Sequence, residues 1–310
     1  MRRNAFLSIL ILFLLLTACQ PRQAGGSRNI IATTSIVGDV VQQVAGGRAA
    51  ITVLVPPDVD EHSFEPSPRD IARVSDASLV FMNGAGLEGF IEKLIENAGG
   101  SVKLVSVSEG ITPIEGEDDH ADEAEDDHAD ESGADPHFWT DPNNVLVWVD
   151  NIERELIQAD PAGEQVYRAN AEAYRVELRA LDTWVSEQVA QIPPENRRLV
   201  TDHKMFTYFA ERYGFEQIGA IVPGYSTLAS PSAQELAALE DAIRAQNVPV
   251  IFVGSTVNPA LAERVAADTN TRLVRILTGS LTEAGGEAPT YLEYIRYNVT
   301  AIVEALKSWP

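Results

Sequence analysis

Short runs rich in Val, Ile and Leu alternate along the chain with longer stretches in which apolar residues return every three or four positions. Read from Asn29 onward, this pattern predicts strands over 30–37, 51–55, 79–82 and 102–107, separated by helices over 40–45, 68–77 and 87–97. The alternation returns in the second half. Strands are expected over 199–201, 215–222, 248–253 and 272–277, and helices over 206–213, 231–246 with Ser230 as its cap, 259–268 and 291–306. Strand followed by helix, repeated, predicts an α/β fold with parallel sheets covered on both faces. Ligands in such sheets gather at the loops beyond the carboxyl ends of the strands.

Between these halves lie a helix over 144–158 and a longer one that starts at Pro161, a residue suited to a first helical position, and runs to 191. Tyr174, Leu178, Leu181, Val185, Val189 and Ile192 follow one another at intervals of three or four and form a single apolar stripe. About 31 residues at 1.5 Å each reach about 46 Å, more than one small lobe requires and enough to run along two. The expected architecture is therefore two lobes, 29–160 and 193–310, each a parallel sheet flanked by helices, joined by one long connecting helix over 161–192. A chain of 310 residues is long enough for two domains with separate cores, although one large domain also fits.

Composition changes this picture at two places. Arg2 and Arg3 precede an apolar run over 6–16, too short to span a membrane but suited to an export signal over 1–18. The run ends in Leu16-Thr17-Ala18-Cys19, which resembles the bacterial lipobox, and Cys19 is the sole cysteine, so lipidation there and a flexible tether over 19–28 are expected. The second place is the segment 115–135, which holds twelve of the 46 acidic residues, His120 and His128, and no Lys or Arg. It supplies about half of the net charge of -23 and has too little apolar surface to order itself; histidines recurring among carboxylates suit a weak cation collector. So acidic a chain repels nucleic acid and favours cationic ligands.

Directly after that segment, Asp135-Pro136-His137-Phe138-Trp139-Thr140-Asp141-Pro142 places one histidine between two Asp-Pro turn signals, which hold an imidazole on a defined loop. His62 and His203 also follow expected strands. Three imidazoles with a fourth open or water-filled position suit zinc. Taken with the stretches 60–68, 203–214, Ser255-Thr256-Val257-Asn258-Pro259 and Tyr297-Asn298-Val299, the chain resembles the metal-binding lipoproteins that deliver zinc or manganese to bacterial ABC importers, over essentially its whole mature length.

The resemblance implies a metal held between the two lobes by His62, His137 and His203, delivery to a membrane permease, and a monomer anchored outside the cytoplasm, in the periplasm or on the outer cell surface. The acidic loop is similar to one that zinc-specific members place before their second ligand. Two positions depart from the pattern: Gly279 stands where the family commonly has an aspartate ligand, and Gly254 where a glutamate often precedes Ser-Thr. The fourth position then falls to water, to His120 or His128, or to another carboxylate. Loss of a hard oxygen ligand favours Zn²⁺ over Mn²⁺, which stays the alternative. Rival readings are a zinc hydrolase using Glu61 or Asp202 as general base, for which no His-Glu-x-x-His motif exists, and a surface adhesin or metal buffer. With neutral imidazoles as ligands, affinity is expected to fall below about pH 6.5.

Overall fold

The computed structural model describes residues 28–115, 133–307 and 309. The export signal, Cys19, and the histidines His120 and His128 lie outside the described residues.

Two four-stranded sheets, both wholly parallel, organise the chain. The first contains β1 (Arg28–Ala32), β2 (Ala49–Val53), β3 (Leu79–Met82) and β4 (Lys103–Ser106) in the spatial order β2-β1-β3-β4. The second contains β5 (Arg198–Thr201), β6 (Glu216–Ala220), β7 (Val250–Gly254) and β8 (Arg272–Ile276) in the matching order β6-β5-β7-β8. In each, the chain leaves the first strand in one direction and returns on its other side. The carboxyl ends on either side of that reversal form a crevice where a ligand can sit.

Nine helices are seen among the described residues: α1 (Ser35–Ala45), α2 (Pro68–Ser75), α3 (Ile91–Asn97), α4 (Pro142–Ala159), α5 (Glu164–Val189), α6 (Thr207–Tyr213), α7 (Ala233–Ala245), α8 (Ala260–Thr269) and α9 (Tyr291–Leu306). Successive strand residues point to opposite faces, and the burial follows suit. Ile31 and Val80 pack outward with Val74 of α2 and Leu94 of α3, whereas Ile30, Leu79 and Phe81 join α1 and α4 in the main core. The second sheet divides likewise, with Ile251 and Val253 beneath α7 and α8 and with Val250 and Phe252 facing the main core.

That main core crosses from one sheet to the other without a break, from Ile30 through Trp148, Leu178 and Tyr294 to Phe252. The bridging element is α5, which spans about 39 Å and buries Tyr167, Tyr174, Leu178, Leu181, Val185 and Val189 along one stripe. Residues 161–163 are a separate 3-10 turn, so this helix is shorter than the expected 161–191. A shared core leaves little freedom for a wide hinge. Leu178 is fully buried at its centre, and Leu178→Ala is expected to cost about 2–5 kcal/mol in chemical denaturation of the metal-free protein. An unchanged midpoint would show that the helix does not knit the lobes together.

Two local expectations shift. The first strand ends at Ala32, not Val37, because the Thr34 side chain accepts from the amide of Val37 and starts α1. Helix α7 is capped by Ser232, not Ser230: its hydroxyl accepts from the Glu235 amide while the Glu235 carboxylate accepts from the Ser232 amide.

Candidate metal centre

Each of the three histidines is placed by an aspartate nearby in sequence. In the loop after β2, Asp60 accepts from the backbone amide of His62 at 3.2 Å. In the turn before α4, one Asp135 oxygen accepts from the His137 amide at 2.9 Å and lies 2.7 Å from its Nδ1. Just past β5, one Asp202 oxygen accepts from the His203 amide at 2.8 Å and lies 3.0 Å from its Nδ1. The Asp-Pro signals work as expected, since Asp141 accepts from the Asn143 amide and caps α4 at Pro142.

The second lobe also grips the His137 loop. Tyr208 of α6 donates to the carbonyl of Asp135 at 2.7 Å, Tyr291 of α9 donates to the carbonyl of Trp139 at 2.7 Å, and the Trp139 indole donates to the Tyr294 hydroxyl. The His62 loop also meets the second lobe, at the loop after β6, where the Thr227 hydroxyl donates to Asp60 at 2.7 Å. Ser280 accepts from the Asp58 amide and Ser35 from the Leu281 amide, which closes the crevice from the side of β8.

These supports bring the imidazoles together. His137 Nε2 lies 3.3 Å from His62 Nε2 and 3.2 Å from His203 Nε2, and one ligating atom from each ring falls within 4.8 Å of the others. His137 and His203 are buried and His62 is half-buried. A carboxylate at Nδ1 fixes the proton there, so the Nε2 atoms of His137 and His203 face each other as lone pairs. Two acceptors at that distance repel unless a cation lies between them. Tetrahedral zinc with bonds of about 2.0–2.1 Å would separate its nitrogen donors by about 3.3 Å, which matches the spacing.

The vacancy expected at Gly279 is filled. A methyl group added to Gly279 would fall on the carboxylate of Glu61, so the glycine makes room for that side chain. Glu61 is 3 % exposed, and its Oε1 lies 3.9 Å from His62 Nε2. Sequence reasoning named Glu61 only as a hydrolytic base and left the fourth donor open. The available signal is paired: an acid beside one candidate ligand, and a glycine where an acid is expected.

Burial governs the site's protonation. Desolvation holds the Glu61 carboxyl up at about 7, with its own backbone amide opposing and the neighbouring Asp60 charge adding to the rise. His62 is pushed well below its ordinary range, by desolvation first and then by the other two imidazoles. Desolvation also lowers His137, against the pull of Asp135. For His203 burial acts downward, but the carboxylates around it, Asp202 first and then Glu61 and Asp60, together outweigh it and the ring ends above its ordinary value.

Comparison with known proteins agrees with this geometry. Residues 30–305 match the family described as ZnuA: Zinc-uptake complex component A periplasmic. The chain is 32% identical over 306 residues to the manganese-binding lipoprotein MntA of Halalkalibacterium halodurans, covering 96% of each. Among solved structures it is similar to the periplasmic zinc binding protein TroA from Treponema pallidum, with a TM-score of 0.80, 26% identity, and coverage of 91% of this chain and 99% of that one. It is also similar to the Mn-bound periplasmic metal binding protein from Candidatus Liberibacter asiaticus, with a TM-score of 0.76, 28% identity, and coverage of 89% and 98%. Among the described residues no helix is long and apolar enough to cross a membrane. The hydrolase reading falls away, because the chain belongs to the zinc-uptake component A family, the metal-binding substrate-binding proteins of ABC importers, which bind and deliver a metal ion and are not enzymes.

Proposed function

We propose that the chain captures Zn²⁺ outside the cytoplasm and hands it to an ABC importer permease, with His62, His137, His203 and Glu61 as the four donors. The observation that carries this reading is the convergence of the His62 and His203 Nε2 atoms on that of His137, at 3.3 and 3.2 Å, beside a buried carboxylate that no Lys or Arg among the described residues neutralises. Buried charges are stable when paired or when they coordinate a metal. Three imidazole nitrogens and one oxygen are a donor set that suits zinc, whereas carboxylate-rich sets suit manganese. The protein works as a monomer held at the membrane by acylated Cys19, and mass spectrometry of the membrane-extracted protein finding an unmodified cysteine would refute the anchor.

Manganese is the second reading, favoured by relatives named for that metal. Equilibrating metal-free protein with Zn²⁺ and Mn²⁺ at buffered free concentrations, followed by elemental analysis, separates the two. Zinc is expected to dominate when the free ions are equal, and retention of manganese under that condition would reverse the assignment.

Metal capture must release whatever protons the donors carry. Glu61 titrates at about 7 and His203 is held above its ordinary value, so the metal-free site takes up protons on both more readily than ordinary carboxylates and histidines would. Affinity is therefore expected to be level in alkaline buffer and to weaken from about pH 7 downward, earlier than ordinary histidines would dictate. Its decline should become steeper than tenfold per pH unit once both groups are protonated. Chelator competition across a pH series reads this directly, and an affinity that stays flat to pH 5.5 would exclude these donors.

A further inference from the structure

Gly254, the last residue of β7, occupies a position with no room for a side chain. A Cβ there would lie 2.7 Å from Asp202 Oδ2 and 2.6 Å from the Thr278 methyl carbon. Its amide instead donates to Asp202 Oδ2 at 2.9 Å. The other Asp202 oxygen takes the amide of His203 and faces its Nδ1. Strands β5 and β7 pair only at Thr201 and Phe252, so the Asp202 carboxylate continues by side chain a ladder that the backbone has left. Asp202 is 5 % exposed, and both its oxygens are engaged. In Asp135, by contrast, Oδ2 has no hydrogen-bond partner among the described residues.

We infer that Asp202 is a positioning residue for metal capture, seated by Gly254, which fixes the His203 ring with its proton on Nδ1 and its Nε2 lone pair directed at the metal. Rotating the carboxylate out of this seat would break its hydrogen bonds to His203 and to Gly254 together. A side chain at 254 and a carboxylate at 202 compete for one space, just as the side chain of residue 279 competes with Glu61. Both glycines thus mark places where a carboxylate from another loop has entered the crevice. This inference rests on His203 being a ligand and adds how that ligand is held.

The test compares zinc affinity, by chelator competition, in the full soluble chain carrying Asp202→Asn, Gly254→Ala, or both. Nitrogen-15 NMR of the histidine rings is recorded on the metal-free proteins in alkaline buffer, where the imidazoles are neutral. Asparagine keeps the shape but cannot accept from both Gly254 and His203 Nδ1. Each single variant is expected to bind zinc about 10- to 100-fold more weakly, the range for removing a partner that orients a ligand. The double variant should be little worse than the weaker single. His203 should lose its uniform Nδ1-H tautomer while the His137 ring signals, an internal check on folding, stay in place. If the wild type binds zinc but Asp202→Asn binds within twofold of it, or His203 keeps its tautomer, or the two substitutions add independently, Asp202 has no positioning role. If the wild type itself fails to bind zinc, the metal-site reading fails instead.

Discussion

Zinc affinity is expected to fall about a hundred- to a thousandfold in His137→Ala, measured by chelator competition. Structural zinc sites with four donors bind with about 10–16 kcal/mol, so one donor is worth on the order of 3–4 kcal/mol, and each 1.4 kcal/mol is a factor of ten. His137 is central among the proposed donors, since its Nε2 is the common neighbour of the other two. Its removal also leaves Asp135 fully buried with neither oxygen bonded to a ring. The metal-free variant should therefore melt at lower temperature as well, and the affinity is to be read where the circular dichroism still reports folded protein. Binding within tenfold of wild type would remove His137 from the site.

The exchange of space between Glu61 and Gly279 makes the second strong expectation. Glu61→Ala removes the proposed oxygen donor, and Gly279→Asp drives a new side chain into the Glu61 carboxylate. Either alone should weaken zinc binding by about 10- to 100-fold or more. Together they place one carboxylate, now from the β8 side, in the space vacated by the other, and most of the affinity should return. Additive losses in the double variant would mean that Glu61 merely fills space.

The same carboxylate predicts an opposite effect without metal. Its folded pKa of about 7 lies above the ordinary glutamate value of 4.5, so the unfolded chain releases this proton first. Stability from this group is full below about pH 4.5 and is lost as pH rises to about 7, a cost on the order of 3 kcal/mol at alkaline pH. Metal-free Glu61→Gln should thus melt higher than wild type at pH 8 and gain less from added zinc. A carboxylate retained against the stability of the empty protein is what a ligand for cargo requires.

Much of the scaffold could be read from periodicity. Strand Leu79–Met82 and helix Tyr291–Leu306 fall where their apolar spacing puts them, because both bury a regular face. The stripe on α5 was legible for the same reason: Tyr174, Leu178, Leu181, Val185 and Val189 are buried along it, as is Ile192 just past its end. Residues 33–37 were misassigned to a strand, since a run of Thr, Ile and Val carries β propensity, and only the Thr34 cap and tertiary packing turn it into a helix. The three histidines could be named because each sits in a turn whose chemistry is local. That they converge is a property of topology, the like order of strands in two sheets. Glu61 and Asp202 were named from sequence only as candidate general bases; the roles proposed for them escaped because their partners, Gly279 and Gly254, lie far along the chain, and a glycine states only that something else occupies its place.

The lobes are tied by a continuous core and by side chains that cross the crevice on several sides, from Tyr291 and Trp139 to Thr227 and Asp60. Such a frame favours a small rocking that admits and releases the ion over a wide closure. Discrimination between cations must then come chiefly from the donors.

Crystals of the protein grown with equal Zn²⁺ and Mn²⁺, with anomalous diffraction recorded on both sides of the zinc absorption edge, test this most directly. The expected result is one peak within bonding distance of His62, His137 and His203 Nε2 and of a Glu61 oxygen, present above the zinc edge and absent below it. A peak that persists below that edge, lies elsewhere, or leaves Glu61 turned away would contradict the four-donor zinc site.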